Sequence, residues 1–196
     1  MEPLDGGAAD AGRGAGDDDG AVHDRAFRWG ALAQNGIAGA RVDRITTTAG
    51  VNNALLYRYF GSKLDLFDTV YTRLVTETVD DVPLDPRDLT GYTAALFDYY
   101  VGHPEVVRLT AWRQLERPDH PLPVIVTDSY QDKTDRIAAA QRDGAIPDRV
   151  PADELLALVI HLSLSNTTLG LSVDTPIDHT RRRETITEAV RALLAP

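Results

Sequence analysis

Cysteine is absent from the 196 residues of this chain. A disulfide framework and a thiolate metal site are therefore both excluded. No apolar run approaches the ~18 residues that crossing a membrane requires, and the N-terminus lacks the basic and then apolar pattern of a secretory signal. We expect a cytoplasmic protein in which the 43% hydrophobic content is enough to form a packed core.

The motifs of common enzyme and nucleotide sites are missing as well. The sequence contains no G-x-S-x-G, Walker loop, G-x-G-x-x-G or H-E-x-x-H pattern. Its five histidines fall on separate predicted elements without the spacing of metal ligands. We therefore expect no metal and no cofactor, and no group of residues in the sequence supports an enzymatic function.

Negative charge predominates, with a formal net charge of −10, but it is unevenly distributed. Residues 1–21 hold six acids and one base, whereas residues 22–75 hold seven bases and four acids, a net charge of +3. Local charge decides local contacts, while the total affects solubility and non-specific association. Nucleic-acid binding therefore remains open for the segment 22–75.

Hydrophobic periodicity predicts an all-α protein of about nine helices. Residues 1–21, rich in Gly, Ala and Asp, have too few apolar side chains to fold, so we predict a disordered acidic tail. No later segment alternates as a strand would. The predicted helices are 24–35, 41–48, 52–60, one following Ser62 to about residue 78, 88–102, 104–116, 123–143, 152–171 and 178–194.

Residues 41–60 have the pattern of a helix-turn-helix, in which two short helices flank a turn at Gly50. Asn52 is a predicted N-cap and Gly61 a predicted C-cap. Ser62 and Asp65 resemble a capping box at the start of the next helix. The apolar positions that would hold the helices together are Val42, Ile45, Ala49, Val51, Leu56 and Phe60. Alone, this pattern is weak evidence for a DNA-binding motif, because helix pairs around a glycine occur in many helical proteins.

The stretch "RVDRITTTAGVNNALLYRYFGSKLDLFDTV" is more specific, because it resembles the signature segment of the TetR (tetracycline repressor) family. The residues that match in register are Val42, Ile45, Ala49, Gly50, Val51, Leu56, Tyr57, Tyr59, Phe60, Ser62 and Lys63. The resemblance implies a three-helix DNA-binding domain at 22–66. It also implies a larger helical domain at 67–196 that binds a small molecule and dimerises through its last two helices.

The second helix of the motif would present its outer face to the major groove. Asparagine can pair with adenine, and Ala or Leu can touch a thymine methyl group. The resemblance implies phosphate contacts from Tyr57, Tyr59 and Lys63, although a packed ring is the alternative for each tyrosine. The full predicted DNA-binding set is Arg41, Arg44, Thr46, Thr47, Thr48, Asn52, Asn53, Ala54, Leu55, Tyr57, Arg58, Tyr59 and Lys63.

In the larger domain, the predicted helix 152–171 is apolar nearly all round and must be covered on most sides. The last helix carries one apolar stripe from Ile186 to Leu194. The apolar faces of these two helices fit a dimer interface. The alternative is that they pack into the core of a monomer. Polar and aromatic residues within apolar helices are candidates for a ligand pocket, although each has an ordinary structural role as its alternative. They are Phe97, Tyr100, His103, Trp112, Gln114, Tyr130, His161 and Asn166.

These observations favour a ligand-responsive transcriptional regulator. We expect a homodimeric repressor that binds a palindromic operator on double-stranded DNA and is released by a small-molecule effector. The main alternative is a helical small-molecule-binding or scaffold protein whose DNA-binding head does not function.

Overall fold

The computed structural model describes residues 52–165 and 178–195, together with Asp43, Thr46, Thr47 and Gly50. Seven α-helices and no strand occupy these residues, which confirms the all-α class. The helices are α1 (Asn53–Phe60), α2 (Lys63–Asp81), α3 (Leu89–Gly102), α4 (Pro104–Glu116), α5 (Val124–Arg142), α6 (Ala152–Ser163) and α7 (His179–Leu193). The predicted helix 24–35 and most of 41–48 lie outside the described residues.

Local capping sets the limits of α1. The Asn52 side chain accepts a hydrogen bond from the Leu55 N–H at 2.7 Å, which satisfies a backbone donor at the helix start. Gly61 ends the helix with φ 73°, and its N–H donates to the Tyr57 carbonyl at 2.9 Å. Glycine adopts this left-handed conformation without the steric cost that a Cβ brings. Both predicted caps of α1 are confirmed.

The turn between α1 and α2 is closed by the predicted pair of Ser62 and Asp65. Ser62 Oγ accepts from the Asp65 N–H at 3.1 Å and donates to the Asp65 carboxylate at 2.6 Å. The carboxylate therefore orders the capping hydroxyl and lies in the first turn of α2, where the helix dipole favours a negative charge. Helix α2 continues past the predicted end at residue 78 to Asp81.

A first hydrophobic cluster joins α1, α2 and α4. Leu56 and Phe60 of α1 belong to the same cluster as Phe67 and Val70 of α2 and Leu109 of α4. Leu56, Phe67 and Leu109 are at most 1% exposed. The short helix α1 is therefore held against the rest of the molecule by direct apolar contact rather than by its own helix propensity.

A second cluster forms the centre of the larger body. It contains side chains from α3, α5, α6 and α7: Leu89, Leu96, Ile137, Ala140, Leu155, Leu156, Val159 and Val190. Helix α7 packs mainly on α3, and its stripe residues Ile186 and Val190 are buried. The best-buried part of this predicted dimer stripe thus faces the chain's own core.

The predicted helix 152–171 is wrong in its C-terminal extent. Helix α6 ends at Ser163, and Leu164 and Ser165 form a turn. Residues 166–171 lie outside the described residues. The apolar helix α6 is covered on one side, since Leu155, Leu156 and Val159 are buried, whereas Leu158 stays 41% exposed. None of the described helices is both long enough and apolar enough to cross a membrane.

Candidate DNA-binding surface and effector cavity

Helix α1 has a buried face and an exposed face. Leu56 and Phe60 are turned into the first cluster, whereas Asn53, Ala54, Tyr57 and Arg58 are exposed. These four residues stand at i, i+1, i+4 and i+5, which places them on one side of the helix. Tyr57 is 45% exposed, so its ring is not packed in the core. This exposed side of α1 is the candidate recognition face.

A hydrogen-bonded group lies at one edge of the recognition face. The Asn53 amide nitrogen donates to Asp43 Oδ1 at 2.6 Å, and Thr46 Oγ1 donates to Asn53 Oδ1 at 2.6 Å. Thr46 is only 4% exposed. Its side chain is buried within the motif and has almost no exposed surface for the predicted contact with the DNA backbone. Asn53 has a structural role that its type and position alone did not indicate.

The other predicted DNA contacts are placed as follows. Thr47 is exposed, and its hydroxyl donates to the Asp43 carbonyl at 2.6 Å. Leu55 and Tyr59 are half-buried against the first cluster. The Arg58 guanidinium lies 5.3 Å from the centroid of the Tyr59 ring. Lys63 is half-buried at the first position of α2. Arg41, Arg44 and Thr48 lie outside the described residues.

Lys63 stands where a cation is electrostatically unfavourable, because the N-terminus of a helix carries a partial positive charge. An external anion such as a phosphate would remove this penalty and would also accept hydrogen bonds from the ammonium group. Arg58 thus gives positive charge to the recognition face and Lys63 to its edge, while the Asp43 carboxylate accepts a hydrogen bond from Asn53.

The body contains a cavity of about 250 Å³ between five helices, α2 to α6. Its apolar lining comes from Val75, Val79, Leu96, Val106, Val107, Val126, Ile160 and Leu164. Its polar lining comes from Tyr71, Thr78, Tyr92, Tyr100, Thr110, Gln114, Ser129, Tyr130, Lys133 and His161. Most of the exposed lining surface is apolar, with polar groups between the apolar side chains, as is usual for a small-molecule site.

Four of the predicted pocket residues line this cavity: Tyr100, Gln114, Tyr130 and His161. Three do not. Phe97 is 1% exposed in the core, with its ring 6.4 Å from that of His179. The His103 ring stacks on Tyr99 at 4.1 Å, and Trp112 packs against the first cluster. Asn166 lies outside the described residues.

The sequence prediction missed six of the polar lining residues, listed here: Tyr71, Thr78, Tyr92, Thr110, Ser129 and Lys133. The sequence did contain a sign that Lys133 could be a site residue, since the chain contains only two lysines and this one follows Ser129 and Tyr130 at helical spacing.

Burial raises the pKa of Tyr100 to about 12 and raises the pKa of Tyr92. Both phenols are therefore neutral hydrogen-bonding groups at physiological pH.

Polar contacts fix the connection between α4 and α5 against α2. Arg117 donates to the Asp68 carboxylate at 2.5 Å, and the His120 ring lies 3.4 Å from the same oxygen. Arg113 is 5% exposed and donates to the carbonyls of His120 and Pro121 at 2.9 and 2.6 Å. Its guanidinium lies 5.6 Å from the ring of Tyr71, a cavity residue.

The comparisons with known proteins agree with this fold. A family model described as the C-terminal domain of tetracyclin repressor-like proteins matches residues 88–192, which is more than half of the chain. A second model, described as bacterial regulatory proteins of the tetR family, matches residues 30–70 and so includes the recognition face. The chain belongs to the tetracycline repressor family, and it is a ligand-responsive, DNA-binding transcriptional regulator.

Individual relatives are of the same kind. The HTH-type transcriptional repressor SCO4008 of Streptomyces coelicolor is 37% identical over 134 residues, covering 67% of this chain and 70% of that protein. The HTH-type transcriptional repressor NicS of Pseudomonas putida is 34% identical over 96 residues, or 45% of each chain. The crystal structure of SCO4942, a transcriptional regulator of Streptomyces coelicolor, has a TM-score of 0.72 and 29% identity, covering 89% of this chain and 97% of that one.

Proposed function

We propose that this regulator is a cytoplasmic repressor that binds a palindromic operator as a homodimer and leaves it when a small molecule occupies the cavity. The observation that carries this proposal is the double role of α2. Phe67 and Val70 of α2 share a core with the DNA-facing helix α1, while Val75 and Val79 of the same helix line the cavity. A single rigid element therefore connects the two sites.

At the operator, the N-terminal part of α1 enters the major groove. Ala54 touches bases, and Tyr57 and Lys63 contact phosphates, which position the protein without specifying sequence. After its bonds to Asp43 and Thr46, the Asn53 amide retains one hydrogen and one oxygen lone pair for a base. Leu55 is half-buried and contributes at the margin of this contact.

The effector acts through the wall that α2 and α4 share. Tyr71 and Val106 belong both to the cavity lining and to the cluster that supports α1. Closely packed clusters rearrange between discrete states rather than deforming continuously. A ligand that binds better to the arrangement in which α2 is displaced shifts the population toward it, and the head then no longer fits the operator.

Dimerisation supplies the second recognition helix, which must lie one DNA turn away, ~34–36 Å, to contact the other half-site. The family resemblance supports an interface formed by α6 and α7. Because Ile186 and Val190 of α7 are used within the chain, we propose that the outward face of α6, with Leu158 at its centre, contributes the apolar part of the interface.

A gel shift with the DNA upstream of the protein's own gene tests this proposal. We expect a shift at moderate salt that a shuffled sequence of equal length does not compete away, together with a dimeric mass by light scattering. Equal affinity for the two DNAs would contradict the proposal and favour a helical binding protein with a non-functional head. Binding at moderate salt is the informative condition, because low salt strengthens contacts to any duplex.

A further inference from the structure

One cationic residue lies within the predominantly apolar cavity. Lys133 is the only Lys or Arg among the lining residues that the structure describes, and no Asp or Glu accompanies it there. Its Nζ donates to Ser129 Oγ at 2.6 Å, and both residues line the cavity. Among residues 52–165 and 178–195, no carboxylate forms an ion pair with this ammonium group.

This environment is unfavourable for a lysine charge that has no anionic partner. Burial lowers the pKa of Lys133, although the neighbouring Asp132 carboxylate opposes this effect. A lysine ammonium has three donors, and Ser129 accepts one of them, which leaves two for a ligand. A partly buried cation with spare donors and no anionic partner is matched by a ligand that brings a negative charge.

We propose that the effector is a small, largely apolar molecule with a single carboxylate, which Lys133 binds. The inference rests on the proposed function in one respect, since it takes this cavity to be the effector site. One cation balances one negative charge, so a monoanion fits better than a dianionic phosphate. The volume of about 250 Å³ is at the small end for ligand sites, which favours a single-ring or short-chain acid.

The position of Lys133 also connects this recognition to regulation. Lys133 lies on α5, and α5 packs directly against α2. A carboxylate held at Lys133 leaves the apolar part of the ligand within a cavity whose wall includes Val75 and Val79 of α2. The charged end fixes one end of the ligand, and the apolar remainder lies against a wall that includes the helix supporting the DNA-binding head.

Three probes with one skeleton and different charges test the proposal by titration calorimetry on the full-length protein: phenylpropionate, phenylpropionamide and phenylpropylamine. We expect the carboxylate to bind at least about tenfold more tightly than the amide, and the amine to bind most weakly. Lys133→Met should abolish the preference for the carboxylate. Arg142→Met removes a charge from the same helix outside the cavity, and it should leave the preference unchanged.

Thermal unfolding separates ligand recognition from a purely structural role. Methionine keeps the apolar stem of Lys133 and removes the unfavourable charge, so Lys133→Met should unfold at the same temperature as the parent or a few degrees higher, about 2–4 °C at most. A residue needed mainly for folding would lower both the unfolding temperature and ligand binding.

The proposal is overturned if the three probes bind equally, if the amine binds best, if the carboxylate shows no measurable binding, or if its preference survives in Lys133→Met. None of these results would change the expected outcome of the operator gel shift, because that experiment contains no ligand. Conversely, loss of operator preference with the carboxylate preference intact would contradict the repressor function alone.

Discussion

The recognition face draws on one helix of eight residues, whereas the cavity draws side chains from five helices. Ala54, Tyr57 and Arg58 lie together because the helical period places them on one side of α1. Tyr71, Tyr100 and Lys133 come together only after three separate helices have packed. The first surface is therefore determined locally, and the second depends on the whole core of the body.

The two regions differ in their chemistry as well. The recognition face is exposed and has cations at its edge, as contact with an anionic duplex requires. The cavity opens partly to solvent, since its lining residue Tyr130 is 39% exposed, but most of its surface is apolar. A single charge such as that of Lys133 therefore stands out there. Helix α2 packs beneath α1 and also lines the cavity. Variants can still be chosen that affect one region and spare the other.

The largest expected effect is on the recognition face. Ala54→Glu places a carboxylate against the duplex and should weaken operator binding by on the order of 100-fold, through lost base contact and repulsion by phosphates. The helix itself should tolerate the change, because an acidic residue near the start of α1 is favoured by the dipole. Fluorescence anisotropy with labelled operator measures the loss.

The matched control for Ala54→Glu is Ala95→Glu, at an exposed alanine of α3. It adds the same charge outside the recognition face and should change operator affinity by less than about threefold, because screening weakens distant surface charges. Equal losses in the two variants would show that α1 is not the DNA-contacting helix.

A smaller effect on operator binding, about tenfold or ~1–2 kcal/mol, is expected for Asn53→Ala. The change would remove the proposed base contact, and it releases the Asp43 carboxylate and the Thr46 hydroxyl from their partner. We therefore expect both weaker binding and an altered preference between operator variants.

Lys63→Ala is the comparison, since losing a phosphate contact should weaken binding to all DNA sequences alike and reduce the salt dependence by about one counterion. If Asn53→Ala binds the operator variants with the same relative affinities as the parent, Asn53 does not read a base and its role is only structural.

In the body, Arg117→Met tests the link between α2 and the connection from α4 to α5. Asp68 would lose its arginine partner at 2.5 Å, and its other carboxylate oxygen is already buried without a hydrogen-bond partner among the described residues. We expect the free energy of unfolding to fall by ~1–2 kcal/mol, and the unfolding temperature to fall by several degrees. Operator affinity without ligand should stay within about threefold of the parent, since the recognition face is unchanged.

The double variant Asp68→Asn with Arg117→Met provides the control for that link. If the pair interacts as the structure indicates, the double variant should be destabilised by less than the sum of the single changes. Additive losses by circular dichroism melting would show that the two side chains contribute independently.

The smallest expected effect concerns the acidic segment 1–21, which carries a net charge of −5. A negative segment is repelled by the duplex, so its deletion should leave operator affinity unchanged or raise it by a few fold at low salt. Anisotropy titrations at two salt concentrations measure this. Weaker binding after deletion would show that the segment takes part in DNA recognition.

Much of the fold could be predicted from local signals. The limits of α1 follow from Asn52 and Gly61, and those of α4 were predicted residue for residue, from Pro104 to Glu116. Prediction was less successful where the outcome depended on neighbours. Phe97 and His103 were plausible pocket residues by type, but one is buried in the core and the other stacks on Tyr99 at the surface.

By itself the sequence determined the helices, their caps and the outward side of α1, because hydrogen bonds over three or four residues and a 3.6-residue period establish these features. Only the tertiary structure decided that the α7 stripe faces α3, that Thr46 is buried, and that Lys133 lines the cavity. Periodicity identifies the apolar side of a helix but not the helix that will cover it. Contacts such as that between Asp68 and Arg117, 49 residues apart, form only when the whole body packs.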